Sequence, residues 1–360
     1  IAKVSKPGTN MWDELTSPAM ITNHNIAVSG GTDNSKYLFS VNYLDQNGTV
    51  METSLKRYSG RINTDYNIGK NIRIGENVYI YSTSKNGYNN ISEDNAIMGA
   101  YQQLPYIPVY DIRGNFCGSF IDPKNGHMGQ PVAYQQETDN NRNNSWVISG
   151  NLYAEVDFLK HLTARTSFGG SFENNTSTFF QYNHYYDSHF SDPNSLQMRS
   201  GNNLYGIWTN TLKYDDTFGK SKLAVLAGTE AVQYSGSSLY GTRTDFYSTD
   251  FNYLILQNGN TRNDNSSGKY INTLFSLFGR LDYSFDDRYL LGLTVRRDGS
   301  SKFGADSRYG VFPSVSLGWR ISGEPFMKNN VNWINDLKLR ASYGVLGSQS
   351  NVSVDNAYSL

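Results

Sequence analysis

A single cysteine, Cys117, stands among 360 residues. That excludes an internal disulfide framework and a thiolate metal cluster. No stretch of about eighteen apolar residues occurs, so no segment reads as a transmembrane helix. Neither sign of charge prevails: 31 Lys and Arg against 32 Asp and Glu leave a formal −1. Without a basic field, nucleic acid is not an expected partner. Proline is scarce, with nine in the chain, and no repeat of solenoid or propeller period is present. GxGxxG, the Walker loop, HExxH, paired CxxC and GxSxG are all missing, so no cofactor and no enzyme chemistry is expected. Ser82-Thr83-Ser84-Lys85 has SxxK spacing but closes a strand and lacks the partner motifs.

What the chain has in quantity is aromatic side chains, 14% of residues with 27 Tyr, and alternation. Strands are predicted over 22–31, 36–45, 57–66, 71–83, 145–158, 161–173, 204–216, 220–234, 270–285, 288–298, 310–321 and 336–347. Most are longer than the usual strand of about five or six residues and suit tilted strands crossing a bilayer. In 57–66, Arg57, Ser59, Arg61, Asn63 and Asp65 oppose Tyr58, Gly60, Ile62, Thr64 and Tyr66. In 145–158, Trp146, Ile148, Gly150, Leu152, Ala154, Val156 and Phe158 oppose a mainly polar set. His161 to Glu173 carries an unbroken small or polar face, and Asn272, Ser276, Arg280, Asp282 and Ser284 share one face of 270–285. One side therefore suits hydrocarbon and the other a watery lumen, where charges avoid the cost of about 2–4 kcal/mol that Arg or Lys meets at the lipid midplane. Strands 71–83, 204–216 and 220–234 alternate poorly, and Glu76 falls among Ile72, Ile74, Val78 and Ile80.

The connections carry a second argument. Short ones fall at 32–35, 67–70, 159–160, 217–219 and 286–287, with a modest one at 322–335. Between them lie 46–56, 84–144, 174–203, 235–269 and 299–309. Tight turns and long loops alternate, as in outer-membrane barrels with periplasmic turns and extracellular loops. Only Pro313 enters a predicted strand, near its start, where a missing ladder donor is tolerated. Aromatics such as Tyr58, Tyr66, Trp146, Phe158, Phe285, Tyr289 and Trp319 gather near strand ends, as girdle residues at headgroup level would. The fold class is all-β: a transmembrane antiparallel β-barrel, partial, with about twelve strands.

Particular runs add a family resemblance. Arg297-Asp298-Gly299-Ser300-Ser301-Lys302-Phe303-Gly304, a loop, and then Gly310 to Met327 resemble the late-barrel signature of the SusC/RagA family of TonB-dependent outer-membrane transporters. Asn23 to Gly31, Lys36-Tyr37, Tyr43 to Gly48, Lys56-Arg57-Tyr58 and Leu337 to Gly344 resemble other parts of the same barrel, in collinear order over about 10–350. The resemblance implies a barrel of about 22 strands, of which residues 1–360 form part, with the plug domain and signal peptide outside the chain. The irregular start, lacking Met or a leader pattern, reads as a piece of a longer precursor. The family further implies a cell outer membrane location, an internal plug, a SusD-like surface lipoprotein, drive from TonB–ExbB–ExbD, and a bulky substrate, an oligosaccharide or a peptide. A passive porin or surface adhesin barrel, and a soluble secreted glycan-binding β-protein or glycan-active enzyme, are the competing readings.

Candidate substrate-contacting residues lie in loop 84–144. A short helix is expected over 93–104, followed by an extended Pro105 to Asp111. Tyr101, Tyr106 and Tyr110 could offer flat faces to sugar rings or apolar peptide side chains; packing the loop against the barrel mouth is the commoner use. The signature residues Asp298, Gly299, Ser300, Ser301, Phe303, Pro313, Trp319 and Arg320 are expected to be architectural. His184, Asp187, His189 and Asp192 are the one set of metal-ligand types in a single loop, weighed against a polar loop tip; no metal is expected. Asp139 to Asn144 reads as a solvated tip.

Overall fold

In a computed structural model, which describes residues 8–87, 95–118, 129–183, 193–328, 333–349 and 352, all twelve expected strands form. They are β1 Ile21–Thr32, β2 Ser35–Asn47, β3 Ser54–Ile68, β4 Ile72–Asn86, β5 Arg142–Leu159, β6 Leu162–Gln181, β7 Ser195–Phe218, β8 Ser221–Phe246, β9 Gly259–Phe285, β10 Tyr289–Ser300, β11 Tyr309–Arg320 and β12 Lys338–Gly344. Each pairs antiparallel with its sequence neighbours, giving one open twelve-stranded sheet in the order β1 to β12. A meander of this kind sends every second connection to the same rim.

Register settles the faces, because directly paired residues project to the same side. One row runs Val41–Gly60–Ile80–Ile148–Phe172–Leu204 across β2 to β7. The opposite side of the same strands carries Arg57, Arg61, Asp65, Arg73, Glu155, Asp157 and Arg165. Further along, Arg280, Asp282, Arg296 and Asp298 lie on that charged side, while Leu277, Leu281, Leu293 and Val295 lie on the apolar one. The apolar face is the more open: Leu152 is 59% and Phe168 65% exposed, whereas Val147 on the charged face is 9% exposed. Larger apolar side chains thus point outward and polar ones into the enclosure. Glu76 sits on the outward face between Thr64 and Leu152, and nothing in the structure explains it.

Three expectations are corrected. The strands over 161–173, 204–216, 220–234 and 270–285 run much further at the long-loop end, with β8 reaching 26 residues and β9 27. A 26-residue strand rises roughly 65 Å at about 3.3 Å per residue and ~40° tilt, far beyond an apolar band of about 25 Å. The loops expected at 174–203 and 235–269 are therefore largely sheet standing above the membrane. Second, the modest connection expected at 322–335 spans 321–337 and holds a helix that was not expected, α4, Pro325–Lys328. Third, the tract from Pro105 turns instead of running extended, since Ile107 N–H donates to Leu104 O at 3.0 Å.

At the tight rim, the β9–β10 turn places Asp286 and Asp287 both at φ 53°, a left-handed region that Asp tolerates better than most residues. Lys220 and Lys222 hold their carboxylates at 3.2 and 2.6 Å.

Candidate transport surface

Two surfaces can meet a solute: the inward wall and the rim of long loops. The wall is built from ion clusters joined across strands. Arg73 reaches Glu155 at 2.6 Å and Asp157 at 2.7 Å. Arg165 shares Glu155 at 3.1 Å and lies 4.0 Å over the Tyr153 ring. The Tyr153 hydroxyl in turn donates to Asp65 at 2.5 Å. Elsewhere Arg296 is held by Glu230 (2.6 Å), Asp298 (2.7 Å) and Ser276 (2.8 Å), and Arg280 by Asp282 (2.7 Å). These charges are largely self-neutralised. Between them the wall presents neutral hydrogen-bonding groups: Asn23, Asn25, Asn42, Asn63, Asn77 and Asn151, with Tyr79 and Tyr81 side by side at 5.4 Å.

The rim folds around two apolar nuclei. In the first, α1 (Met11–Leu15), α2 (Ala96–Gln102) and α3 (Pro131–Gln136) bury Met11, Leu15, Ala96, Val109 and Val132. Asn10 caps α1 and Asn95 caps α2 through side-chain oxygens that accept from Trp12 N–H and Met98 N–H. Gln130, fully buried, donates to Pro108 O at 3.1 Å and Cys117 O at 2.8 Å and accepts from Val132 N–H. Gln135 donates to Met51 O at 2.8 Å, tying α3 to the β2–β3 loop. The second nucleus joins Phe180, Leu196 and Phe246, at the tips of β6, β7 and β8, with Leu254 of the β8–β9 connection. Asn194 clasps Phe246 by accepting from its N–H (2.7 Å) and donating to its carbonyl (3.0 Å).

Asp139, Asn140 and Asn141 join the two nuclei. Asn140 and Asn141 are 8% and 6% exposed, which corrects the expected solvated tip. Asn140 donates to the Tyr182 hydroxyl and to Thr249 O, Asp139 accepts from Tyr182, and Asn141 accepts from Phe180 N–H at 2.9 Å. Burial, with the Asp139 carboxylate beside it, pushes the Tyr182 hydroxyl well above its ordinary range. Amides suit this joint because one side chain can satisfy a backbone donor and an acceptor together.

The expected helix in loop 84–144 is found as α2, but the candidate tyrosines do not converge. Tyr101, 71% exposed, lies 5.4 Å from the Trp12 ring. Tyr110 stacks on Phe116 at 5.2 Å, and Tyr106 is exposed at the Pro105 turn. Trp12 was not anticipated; no periodicity links it to a helix some ninety residues away.

The signature residues touch the fold itself. Asp298 holds Arg296 at 2.7 Å. Gly299 leaves room for the Tyr309 ring. Ser300 donates to Gln349 at 2.5 Å, and Ser301 exchanges hydrogen bonds with Thr273 N–H and O. Phe303 N–H donates to Ser300 O within this turn, and Pro313 pairs with Val295. Trp319 Nε1 donates at 3.1 Å to Glu324, which also takes the Tyr289 hydroxyl and Arg288, and Arg320 faces Asp336 at 3.5 Å. The set from His184 to Asp192 lies outside the described residues; among the described residues no group of three ligand types could hold a metal ion.

A family model described as "TonB dependent receptor-like, beta-barrel" matches residues 79–352. TonB-dependent receptor P3 of Formosa agariphila is 30% identical over 364 residues, covering 96% of this chain and 35% of that protein. TonB-dependent receptor SusC of Bacteroides thetaiotaomicron is 28% identical over 387 residues, covering 99% and 36%. A structure of the RagAB peptide importer in the "open-open" state superposes with a TM-score of 0.78 at 24% identity, over 96% of this chain and 39% of that one. The chain spans about a third of the length of the curated relatives it matches.

Proposed function

The chain belongs to the TonB dependent receptor-like β-barrel family, in its SusC-like branch, and from that premise we propose that it forms part of the wall of an active importer of bulky nutrients. Its place is the bacterial outer membrane, crossed by strands. In this reading β1 and β12 pair with further strands of a barrel of about 22. A plug domain fills the enclosure at rest, TonB–ExbB–ExbD supplies the pull that displaces it, and a SusD-like surface lipoprotein covers the rim. A lumen this wide passes a large solute only when the plug yields, and no covalent bond is made or broken.

The observation that carries the proposal is the sorting of side chains: charges and amides on the inward wall, the largest apolar groups outside. The wall also favours an oligosaccharide over a peptide. Its arginines at 73, 280 and 296 are already neutralised by carboxylates on the same face, Arg61 lies over the Tyr79 ring, and most of what remains on offer is Asn and Tyr, with Arg57 beside them. Uncharged hydroxyl-rich solutes match such a surface, and the exposed Trp12–Tyr101 pair at the rim offers rings for sugar faces to stack on.

The test is growth of a strain lacking the full-length protein on panels of oligosaccharides and of peptides as sole carbon source. Loss confined to one oligosaccharide class, with its monosaccharides still used and with equal loss on deleting TonB, is the expected result. Loss confined to peptides would overturn the glycan reading, and TonB-independent uptake would overturn active import in favour of a passive pore.

A further inference from the structure

The outward face is uneven. Gly150, Gly170 and Gly206 lie directly opposite one another on β5, β6 and β7. The row on one side is Ile148–Phe172–Leu204 and on the other Leu152–Phe168–Trp208. With no side chains along its floor, the surface sinks between these walls into a mainly apolar groove of about 930 Å³. The groove continues across β8 and β9, past Phe275, and ends at Arg308 and Tyr309. A neighbouring apolar groove of about 780 Å³ ends on Arg297.

Those two arginines depart from the pattern of the wall. Arg57, Arg61, Arg73, Arg165, Arg280 and Arg296 all face inward, and the last four hold carboxylates. Arg297 faces outward, opposite Leu277 and Val311. Its guanidinium lies 4.3 Å over the Tyr309 ring, and neither it nor Arg308 is in an ion pair among the described residues. At about 2.5 Å of height per tilted residue, Arg297 stands roughly 20 Å above the Tyr289 start of its strand, near the outer limit of an apolar band of about 25 Å. Lipid phosphates lie at that level, and a planar guanidinium matches phosphate oxygens in paired hydrogen bonds. Glu76, beside Leu152 at the other end of the groove, repels a phosphate and so sets a direction.

We propose that this face holds one phosphate-bearing acyl lipid of the outer leaflet, with acyl chain in the glycine-floored groove and phosphate on Arg297 and Arg308. The inference rests on the outer-membrane placement of this face, and it is independent of which nutrient is carried.

The test uses the full-length protein, delipidated in a neutral detergent, with lipid A and its dephosphorylated form as probes and native mass spectrometry as readout. Heat-modifiable gel mobility reports whether each barrel is folded, and uptake is measured in parallel. Arg297→Gln combined with Arg308→Gln should weaken binding of the phosphorylated probe by roughly tenfold and leave the dephosphorylated one unchanged. Gly206→Leu fills the groove without strain, since nothing lies within 4 Å of the position its Cβ would take. It should weaken both probes by several-fold. Equal binding of the two probes by the wild type, or wild-type affinity in both variants, would overturn the proposal. So would a wild-type dimer that Gly206→Leu dissociates, because the groove's occupant would then be a second copy. Absence of uptake by the wild type, with its lipid binding as expected, would count against the transport reading alone.

Discussion

The sheet within the membrane and the rim above it use apolar side chains in opposite ways. In the rim, Phe180 and Leu196 are 1% and 0% exposed and pack against Phe246 and Leu254, as in any water-surrounded core. In the wall, Phe168, Leu152 and Val41 are 65%, 59% and 60% exposed, because hydrocarbon is the solvent on that side. Backbone pairing and register hold the wall; buried contacts hold the rim. One chain therefore changes its stabilising logic at the height of the outer headgroups.

The sharpest break of this contrast is a pair of Phe substitutions. Phe180→Ala should cost about 3–5 kcal/mol, since it leaves a cavity in a closed nucleus. Phe168→Ala should cost only about 1–2 kcal/mol, because lipid refills the space. Protease cleavage of the rim on intact cells, with barrel mobility on a gel as control, separates the two. Next come neighbours on opposite faces. Leu152→Arg should cost about 2–4 kcal/mol near the middle of the apolar band, while Asn151→Arg, one residue away and facing water, should be close to neutral. Reversible urea unfolding in bilayers reads the difference. Asn194→Ala removes both bonds to Phe246 and should cost about 1–3 kcal/mol, seen as faster hydrogen exchange at the tip of β8.

The smallest effect is at the opposite, tight rim. Hydrogen bonds from Lys220 and then Arg288 hold the Asp286 carboxyl below its ordinary value of 3.8, and bonds from Tyr289 and Trp319 hold Glu324 below 4.5. A lowered folded-state value means stabilisation fully present above the unfolded value and lost as pH falls through the folded one. Hydrogen-exchange protection of the 286–288 and 321–324 turns should therefore hold at pH 5–7 and decline below about pH 4, and Glu324→Gln should remove part of that decline.

The same contrast explains what could be read from the sequence. Arg57 to Tyr66 and Trp146 to Phe158 announced their faces because hydrocarbon on one side forces alternation at every second residue. Above the membrane neither face of a strand meets lipid, so the polar runs of β7 and β9, Arg199 to Asn203 and Gly259 to Lys269, carry no such mark and read as loops. The rim nuclei were illegible for another reason. Phe180, Leu196 and Phe246 come from three separate strand tips and Leu254 from the β8–β9 connection, and Asn140 and Asn141 look like tip residues until the backbone groups they satisfy are known. The ion clusters need register too: Arg73 and Glu155 are brought together only by the β4–β5 pairing.

The central claim is that the alternation divides lipid from water. Spin labels placed one at a time along Ile148 to Val156, with Cys117→Ser as background, test it through their accessibility to oxygen and to a water-soluble nickel chelate. Oxygen should dominate at 148, 150, 152, 154 and 156 and the chelate at 149, 151, 153 and 155. Equal accessibility along the strand, or the reverse assignment, would contradict the account.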